Sequence, residues 1–265
     1  MHRSPYRGFS VEFAEHREYV PGDDVRHVDW KVFGRTDRHY IKQYEEETNL
    51  IAHVVVDTSE SMTFKSGRVS KLEYAGLAAA SLVYLILRQR DAAGLALFGS
   101  DVYQLVQPRT HPGHFKLVVG NLAMPRVEPR TDIGAILHHL AERLKRRGLI
   151  LLFSDLLDEP TRILHGLSHL RHRHHDVIVF HVLDPAERTF PYERMTRFEG
   201  LEATGQVTAD PRSLRRAYLA ELDRYLRALK RGCLAHRVDY RLLDTGEPLE
   251  VALRSYLAAR AGEER

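Results

Sequence analysis

The 265 residues are enough to bury a full hydrophobic core, and 39 Lys and Arg against 36 Asp and Glu leave a formal charge of only +3. This narrow imbalance argues against a dedicated nucleic-acid binder, which would carry clustered basic faces. The single cysteine, Cys233, excludes an intramolecular disulfide, and the most apolar segment, Leu72 to Leu87, is shorter than the roughly 20 residues of a membrane span. We therefore expect a cytoplasmic protein with no membrane span in this chain and no nucleic-acid ligand.

Residues 1–48 are polar and rich in charge, and we expect an N-terminal extension packed on a main domain of residues 49–265. Pro21-Gly22-Asp23 is a turn signal, because Pro presets one backbone dihedral and Gly supplies a positive one. The alternation from His39 to Glu45 predicts a strand with one buried face.

Strand and helix patterns alternate through the main domain. The run Val54-Val55-Val56 is apolar on both faces and predicts a central parallel strand, followed by further buried strands at residues 149–153 and 177–183. Ser70 and Glu73 form a capping box that opens a helix to about Arg90. The remaining predictions are a hairpin at residues 93–106, helices at 115–122, 133–144, 158 onward, 211–230 and 248–260, an excursion at about 184–210, and a strand at 236–243. This order predicts a mostly parallel sheet with helices on both faces.

Oxygen-bearing side chains follow these strands. Asp57, Ser59 and Ser61 come directly after the first buried strand, Asp155 follows the second, and Thr131 precedes a helix. Because the carboxyl ends of parallel strands share one edge of a sheet, these five side chains can meet there. Oxygen donors suit a hard divalent cation, and a site with only two carboxylates should seek an acidic side chain from a protein partner.

A structural alternative stays open for each of these residues. Ser59 and Thr131 are also good helix caps, and strand-end aspartates often accept hydrogen bonds from backbone amides. The role of Glu60, beside the site, is also open, because its carboxylate could occupy the coordination position of the metal that a partner would otherwise fill.

Two sets of residues carry a family resemblance. Asp57-Thr58-Ser59-Glu60-Ser61 resembles the D-x-S-x-S of von Willebrand factor A domains, with Thr131 and Asp155 matching the second and third loops of their metal-ion-dependent adhesion site. From about Gly8 to the C-terminus the chain resembles the bacterial family named domain of unknown function fifty-eight. Its upstream motif corresponds here to Arg17, Tyr19, Gly22, Asp23, Asp24, Arg26, Asp29, Trp30 and Arg35.

The resemblance implies a doubly wound, mostly parallel α/β sheet with one antiparallel edge strand. It also implies a magnesium or manganese cofactor, and a MoxR-type AAA+ ATPase as the partner in chaperone-like complex assembly or maturation. One departure is Leu156, which stands where many adhesion domains have Gly after the third-loop Asp.

We expect a non-enzymatic protein-binding module. The chain has neither a G-x-x-x-x-G-K-[ST] phosphate loop nor a G-x-S-x-G nucleophile elbow. The alternative is a metal-dependent hydrolase or phosphoryl-transfer enzyme that uses Asp57. A nucleic-acid binder is a third possibility, motivated only by Lys145-Arg146-Arg147 and by Arg212, Arg215 and Arg216.

Two further groups have competing interpretations. The segment from Arg17 to Lys31 is either scaffold, which we favour, or partner surface, and Asp23, Asp24 and Arg26 are expected to pair with each other or with Arg35. Five histidines could suggest a metal site, but interleaved arginines favour a solvated helix end. They are His165, His169, His172, His174 and His175.

Overall fold

The computed structural model describes residues 10–20, 28–36, 38–47, 50–129, 131–199 and 205–254. The chain forms two compact units, Met1–Leu50 and Ile51–Arg265. In the first unit, strands β1 (Ser10–Glu18) and β2 (Tyr40–Glu47) pair antiparallel, and helix α1 (Trp30–Thr36) lies between them in the chain.

Asp29 begins helix α1. Its carboxylate accepts hydrogen bonds from the amides of Lys31 and Val32, at 3.0 and 3.3 Å, and its own amide donates to the Tyr40 carbonyl. The side chain is buried, so Asp29 satisfies helix-end amides and ties the helix to β2. This role agrees with the scaffold interpretation of the motif.

Trp30, the next motif residue, packs edge-on against Phe33 and His39 of the same unit, with ring centroids 6.0 and 6.5 Å apart. Tyr19 is half-buried and donates its amide to the His39 carbonyl, while Arg35 is exposed. The proposed pairing of the turn residues with Arg35 lies outside the described residues, as do Gly22, Asp23, Asp24, Arg26 and the side chain of Arg17.

The second unit alternates strands and helices. Its strands are β3 (Ile51–Asp57), β4 (Ala92–Phe98), β5 (Val102–Arg109), β6 (Leu149–Ser154), β7 (Asp176–Leu183), β8 (Thr196–Glu199), β9 (Gln206–Ala209) and β10 (Asp239–Asp244). Its helices are α2 (Lys71–Arg88), α3 (His114–Ala123), α4 (Ile133–Arg143), α5 (Pro160–His172), α6 (Pro185–Thr189) and α7 (Pro211–Ala235), with residues 249–254 also helical.

Six strands form one sheet in the order β10-β7-β6-β3-β4-β5. All neighbours are parallel except the edge strand β5, which pairs antiparallel with β4. Helix α2 packs against β3, β4, β6 and β7, while residues of α4, α5 and α7 share a buried core with the other face. The predicted doubly wound α/β fold with one antiparallel edge strand is therefore confirmed.

Local signals located most helix starts. Ser70 and Glu73 form the predicted capping box, in which the Ser70 hydroxyl accepts from the Glu73 amide at 3.1 Å. The last strand was predicted to begin at His236 but begins at Asp239, because α7 continues to Ala235 and Arg237 then turns the chain with a φ of 56°. In the segment after β7, α6 is followed by the antiparallel hairpin β8–β9.

Helices α4 and α5 approach closely at Gly166. A Cβ atom there would lie 2.7 Å from the Leu137 Cβ and 3.1 Å from the Gly134 carbonyl oxygen. We expect Gly166→Ala to lower the free energy of unfolding by about 1 to 3 kcal/mol, because the helices must separate to admit the methyl group.

Gly120→Ala is the matched control, since Gly120 is also helical and has no atom within 4 Å of its added Cβ. This change should leave stability unaltered or raise it by up to about 1 kcal/mol through helix propensity. Urea unfolding of both variants tests the difference, and equal losses in the two would contradict the close packing.

Among the described residues, no helix combines the length and the apolar character needed to cross a bilayer.

Candidate metal-binding site

The carboxyl ends of β3, β6 and β7 lie side by side. Val56 pairs with Phe153, and Phe153 pairs with Phe180, so Asp57, Ser154 and their following loops reach the same edge. We call this edge, formed by the loops after these strands and the starts of α2 and α4, the metal-site edge. It is where a doubly wound fold places ligands.

Asp57 is fully buried and its carboxylate is fixed by two donors. Oδ1 accepts the Ser59 amide at 2.9 Å, and Oδ2 accepts the Ser154 hydroxyl at 2.7 Å. The Ser154 hydroxyl in turn accepts the Leu156 amide at 2.9 Å. The orientation of Asp57 is therefore set by its own loop and by the end of β6.

The hydroxyls of Ser59 and Ser61 lie 3.0 Å apart and both residues are buried. The backbone of Glu128, in a separate segment, stabilises this loop. Its carbonyl accepts the Glu60 amide at 2.7 Å, and its amide donates to the Thr58 carbonyl at 3.1 Å. The Ser59 side chain makes no capping hydrogen bond to the short 3-10 turn that follows it.

Thr131 is half-buried and donates its hydroxyl to the Gly99 carbonyl at 2.9 Å, just beyond the end of β4. The cap of α4 is Asp132, which accepts the Ala135 amide at 2.9 Å. Ser59 occupies the N-cap position of the 3-10 turn without a capping side-chain hydrogen bond, and Thr131 is not the cap of α4. Their oxygen lone pairs are available as ligands.

Asp155 is also fully buried, and its partner is a lysine that the sequence patterns did not single out. The Lys71 ammonium lies 2.8 Å from Asp155 Oδ2 and 2.6 Å from Glu187 Oε1, and the Lys71 side chain is completely buried. Burial lowers the pKa of Lys71, but the Asp155 and Glu187 carboxylates outweigh it and hold the pKa above its ordinary value. Lys71 is therefore a charged part of this edge.

A third strand-end aspartate, Asp184, lies beside this pair. Asp184 follows β7 and begins α6, accepting amides of Ser66 and Ala186 at 2.9 and 2.8 Å. The Glu187 carboxylate accepts two hydrogen bonds, from the Asp184 amide at 2.8 Å and from the Lys71 ammonium at 2.6 Å. The strand-end rule that identified Asp57 and Asp155 applies equally to Asp184, whereas no sequence pattern marks Lys71.

His181 fixes the backbone of the third loop. Its Nε2 lies 2.8 Å from the Asp155 carbonyl oxygen and its Nδ1 lies 2.6 Å from the Tyr240 hydroxyl. Burial lowers the pKa of His181 to about 4, so the imidazole is neutral at pH 7. A neutral ring bonded at both nitrogens has a positioning role for Asp155.

The electrostatics of Asp57 indicate a place for a cation. Burial, and after it the neighbouring Asp155, raise the pKa of Asp57 to about 7, although hydrogen bonds from Ser154 and Ser59 oppose the change. A positive ion between the two carboxylates would relieve both effects. Two carboxylates with the hydroxyls of Ser59, Ser61 and Thr131 are an oxygen donor set that fits Mg²⁺ or Mn²⁺.

The described residues contain no group of three or more His, Cys, Asp or Glu side chains arranged as metal ligands. His138 bridges two of the five histidines noted above, with nitrogens 2.6 Å from His169 and 2.9 Å from His165. His172 and His174 are exposed, as a solvated helix end requires. His175 is a correction to that interpretation, because it is buried and bonded to the Leu144 carbonyl at 3.1 Å.

Comparisons with known proteins add a family and a fold. The family described as "Protein of unknown function DUF58" matches residues 15–226. Uncharacterized protein Rv1480 of Mycobacterium tuberculosis and uncharacterized protein Mb1516 of Mycobacterium bovis are each 30% identical over 187 residues, 69% of this chain. The chain spans 58% of the length of these curated relatives.

Among solved structures, BatB from Bacteroides thetaiotaomicron matches with a TM-score of 0.53 at 14% identity, over 80% of this chain and 99% of that one. The VWA domain of SpRpn10 matches with a TM-score of 0.36 at 15% identity, over 51% of this chain and 76% of that domain. The predicted family is confirmed, and the likeness to BatB agrees with the predicted von Willebrand factor A-like fold.

Proposed function

This chain belongs to the DUF58 family, and from that starting point we propose that it is a non-enzymatic, cytoplasmic protein-binding module. Its metal-site edge would hold magnesium or manganese through Asp57, Ser59, Ser61, Thr131 and Asp155. An acidic side chain of a protein partner would complete the coordination of the ion. When bound, the ion would supply a positive point of attachment for that carboxylate.

The observation that carries this proposal is the composition of the edge. Asp57 and Asp155 are both buried, and the remaining proposed ligands are hydroxyls, which bring no charge. A divalent ion with several neutral ligands attracts a further anionic oxygen. The Lys71 ammonium strengthens this tendency, because it already neutralises one oxygen of Asp155.

The alternative, a metal-dependent hydrolase or phosphoryl-transfer enzyme, needs a free base or nucleophile. Both nitrogens of the buried His181 ring are bonded, so this imidazole is not free to act as a base. His53 lies within β3, four residues before Asp57, and burial with the nearby His175 lowers its pKa to about 4. These contacts favour binding over chemistry.

The partner we propose is a MoxR-type AAA+ ATPase, with a role in chaperone-like assembly or maturation of complexes. This choice rests on the family resemblance carried by the D-x-S-x-S segment and the upstream motif. The metal-site edge supplies the contact through which such a partner would be recognised.

The test is a binding measurement between the purified full chain and a purified MoxR-type ATPase, in magnesium or in EDTA. We expect binding in magnesium and at least a 30-fold weaker Kd in EDTA or with Asp57→Asn, since an ionic contact of this kind contributes about 2 kcal/mol or more.

Asp101→Asn is the matched control, because Asp101 is an exposed carboxylate near the same edge and is not a proposed ligand. It should bind as the wild type does. Capture that is unchanged by EDTA and by Asp57→Asn, with folding intact, would reject the metal-dependent contact. Asp57-dependent turnover of a phosphate ester would instead establish the hydrolase alternative.

A further inference from the structure

The end of the sheet opposite the metal-site edge carries a row of cations. Four turns lead from helices into strands there, before β4, β6, β7 and β10. Every one of these turns contains exposed basic side chains. We call this surface the basic edge and define it by Arg90, Lys145, Arg146, Arg147, Arg173 and Arg237, all exposed.

Three of the four turns have the same backbone geometry. Arg90, His174 and Arg237 have φ angles of 63°, 65° and 56°, and the amide that follows each one donates to a carbonyl in the last turn of the preceding helix. Glycine is the usual residue at this helix-end position, because it adopts positive φ without strain. Here a basic side chain occupies all three positions at a cost of roughly 1 kcal/mol each.

The basic side chains of the basic edge carry more positive charge than the acidic groups in the same turns neutralise. Arg171 is bonded to the Asp176 carboxylate at 2.5 Å and to the His175 carbonyl at 2.6 Å. Burial lowers the pKa of the Arg171 guanidinium, and repulsion from Arg147 and Arg237 lowers it further. Arg147 and Arg237, from two other turns, therefore lie close enough to Arg171 to repel it.

Helix dipoles explain only part of this charge. A helix C-terminus carries about half a negative charge, which one nearby cation offsets. The turn after α4 alone contains Lys145, Arg146 and Arg147, and all three are exposed. The exposed charges of Lys145 and Arg146 exceed this requirement and can contact an external anionic surface.

The order of the strands sets the spacing of the cations in the basic edge. Three of the turns precede the adjacent strands β10, β7 and β6, about 4.8 Å apart, so their cations form a row along the sheet end, and β3 separates this row from Arg90 before β4. The turn sequences at 88–91, 145–148, 171–176 and 236–239 contain no Phe, Tyr or Trp on which a base could stack. Leu234, on the last turn of α7, is 78% exposed and offers an apolar contact beside Arg237.

We propose that the basic edge binds the surface of a bilayer rich in anionic phospholipids. The exposed guanidinium and ammonium groups would contact lipid phosphates and carboxylates, and Leu234 would enter the headgroup region. This inference does not depend on the metal-site edge or on the proposed partner.

The experiment is flotation of the full chain with vesicles of phosphatidylcholine alone or with added phosphatidylserine, at low and high salt. We expect retention only on the anionic vesicles, and less retention at high salt. The variant K145Q/R146Q/R237Q should lower the vesicle partition coefficient on the order of 100-fold. Each cation removed weakens partitioning by about tenfold or less, and the three factors multiply.

The control variant K65Q/R68Q/R216Q removes the same charge from exposed positions outside the basic edge and should float with the vesicles as the wild type does. Equal losses in the two variants would show a non-specific charge effect and reject the proposal. Absence of flotation on anionic vesicles would also reject it, and tight binding of a DNA or RNA duplex without flotation would assign the edge to nucleic acid.

Discussion

Replacing Lys71 by methionine is expected to lower the free energy of unfolding by about 3 to 5 kcal/mol. The Lys71 ammonium lies within 2.8 Å of Asp155 and of Glu187, and the Lys71 and Asp155 side chains are completely buried. Methionine fills a similar volume but leaves the Asp155 carboxylate buried without its cation and close to Asp57. The loss arises mainly from that uncompensated charge rather than from a cavity.

Urea unfolding at pH 7 in EDTA measures the effect of Lys71→Met. Lys65→Met is the matched control, because Lys65 is exposed in the preceding loop, and it should change stability by no more than about 0.5 kcal/mol. The double variant with Asp155→Asn should lose less than the sum of the two single changes. Additive losses would mean that Lys71 and Asp155 do not act as a pair.

Asp57→Asn is expected to have opposite effects with and without a divalent cation. The pKa of Asp57 is about 7 in the folded chain, raised by burial and then by Asp155, against an ordinary value of 3.8. Between these two pH values the folded state binds more protons than the unfolded state, so stability falls as pH rises through this window. The fall attributable to Asp57 is on the order of 4 kcal/mol in EDTA.

Asparagine cannot ionise, so the variant should be more stable than the wild type by about 2 to 4 kcal/mol at pH 8 in EDTA. Added magnesium should stabilise the wild type and leave Asp57→Asn unchanged, because the ion binds the ionised carboxylate. Unfolding curves at pH 5 and pH 8, with magnesium or EDTA, separate these effects.

Asp101→Asn serves as the control and should respond to neither pH nor magnesium differently from the wild type. A wild-type stability that does not depend on magnesium at pH 8 would contradict a cation at this edge.

The sequence was sufficient for the sheet because its central strands are fully buried. Val54, Val55 and Val56 are apolar on both faces, a pattern typical of a strand covered by helices on both sides. Once the strands are parallel, their ends share an edge, and this single rule located Asp57 and Asp155. The edge strand β5 came from a different signal, the hairpin predicted at residues 93–106, and its antiparallel pairing with β4 confirms that prediction.

Local sequence patterns could not predict contacts between residues that are far apart in the chain. Lys71 begins a helix directly after a cap, where a lysine usually points to solvent, and only the fold brings it to Asp155, 84 positions later. Thr131 and Asp132 are equally good caps by type, and the chain path alone selects Asp132. Arg237 was assigned to a strand because an arginine at positive φ has no sequence signature, unlike glycine.

The parallel direction of the strands keeps the metal-site edge and the basic edge at opposite ends. Strands β3, β6 and β7 have 6 to 8 residues, so the two ends are separated by roughly 20 to 25 Å. A molecule lying with the basic edge on a bilayer would hold the ion well above the headgroups, beyond about two Debye lengths at physiological salt. Lipid and protein ligands would then bind without competing, and confinement to two dimensions would raise the encounter rate with any partner on the same membrane.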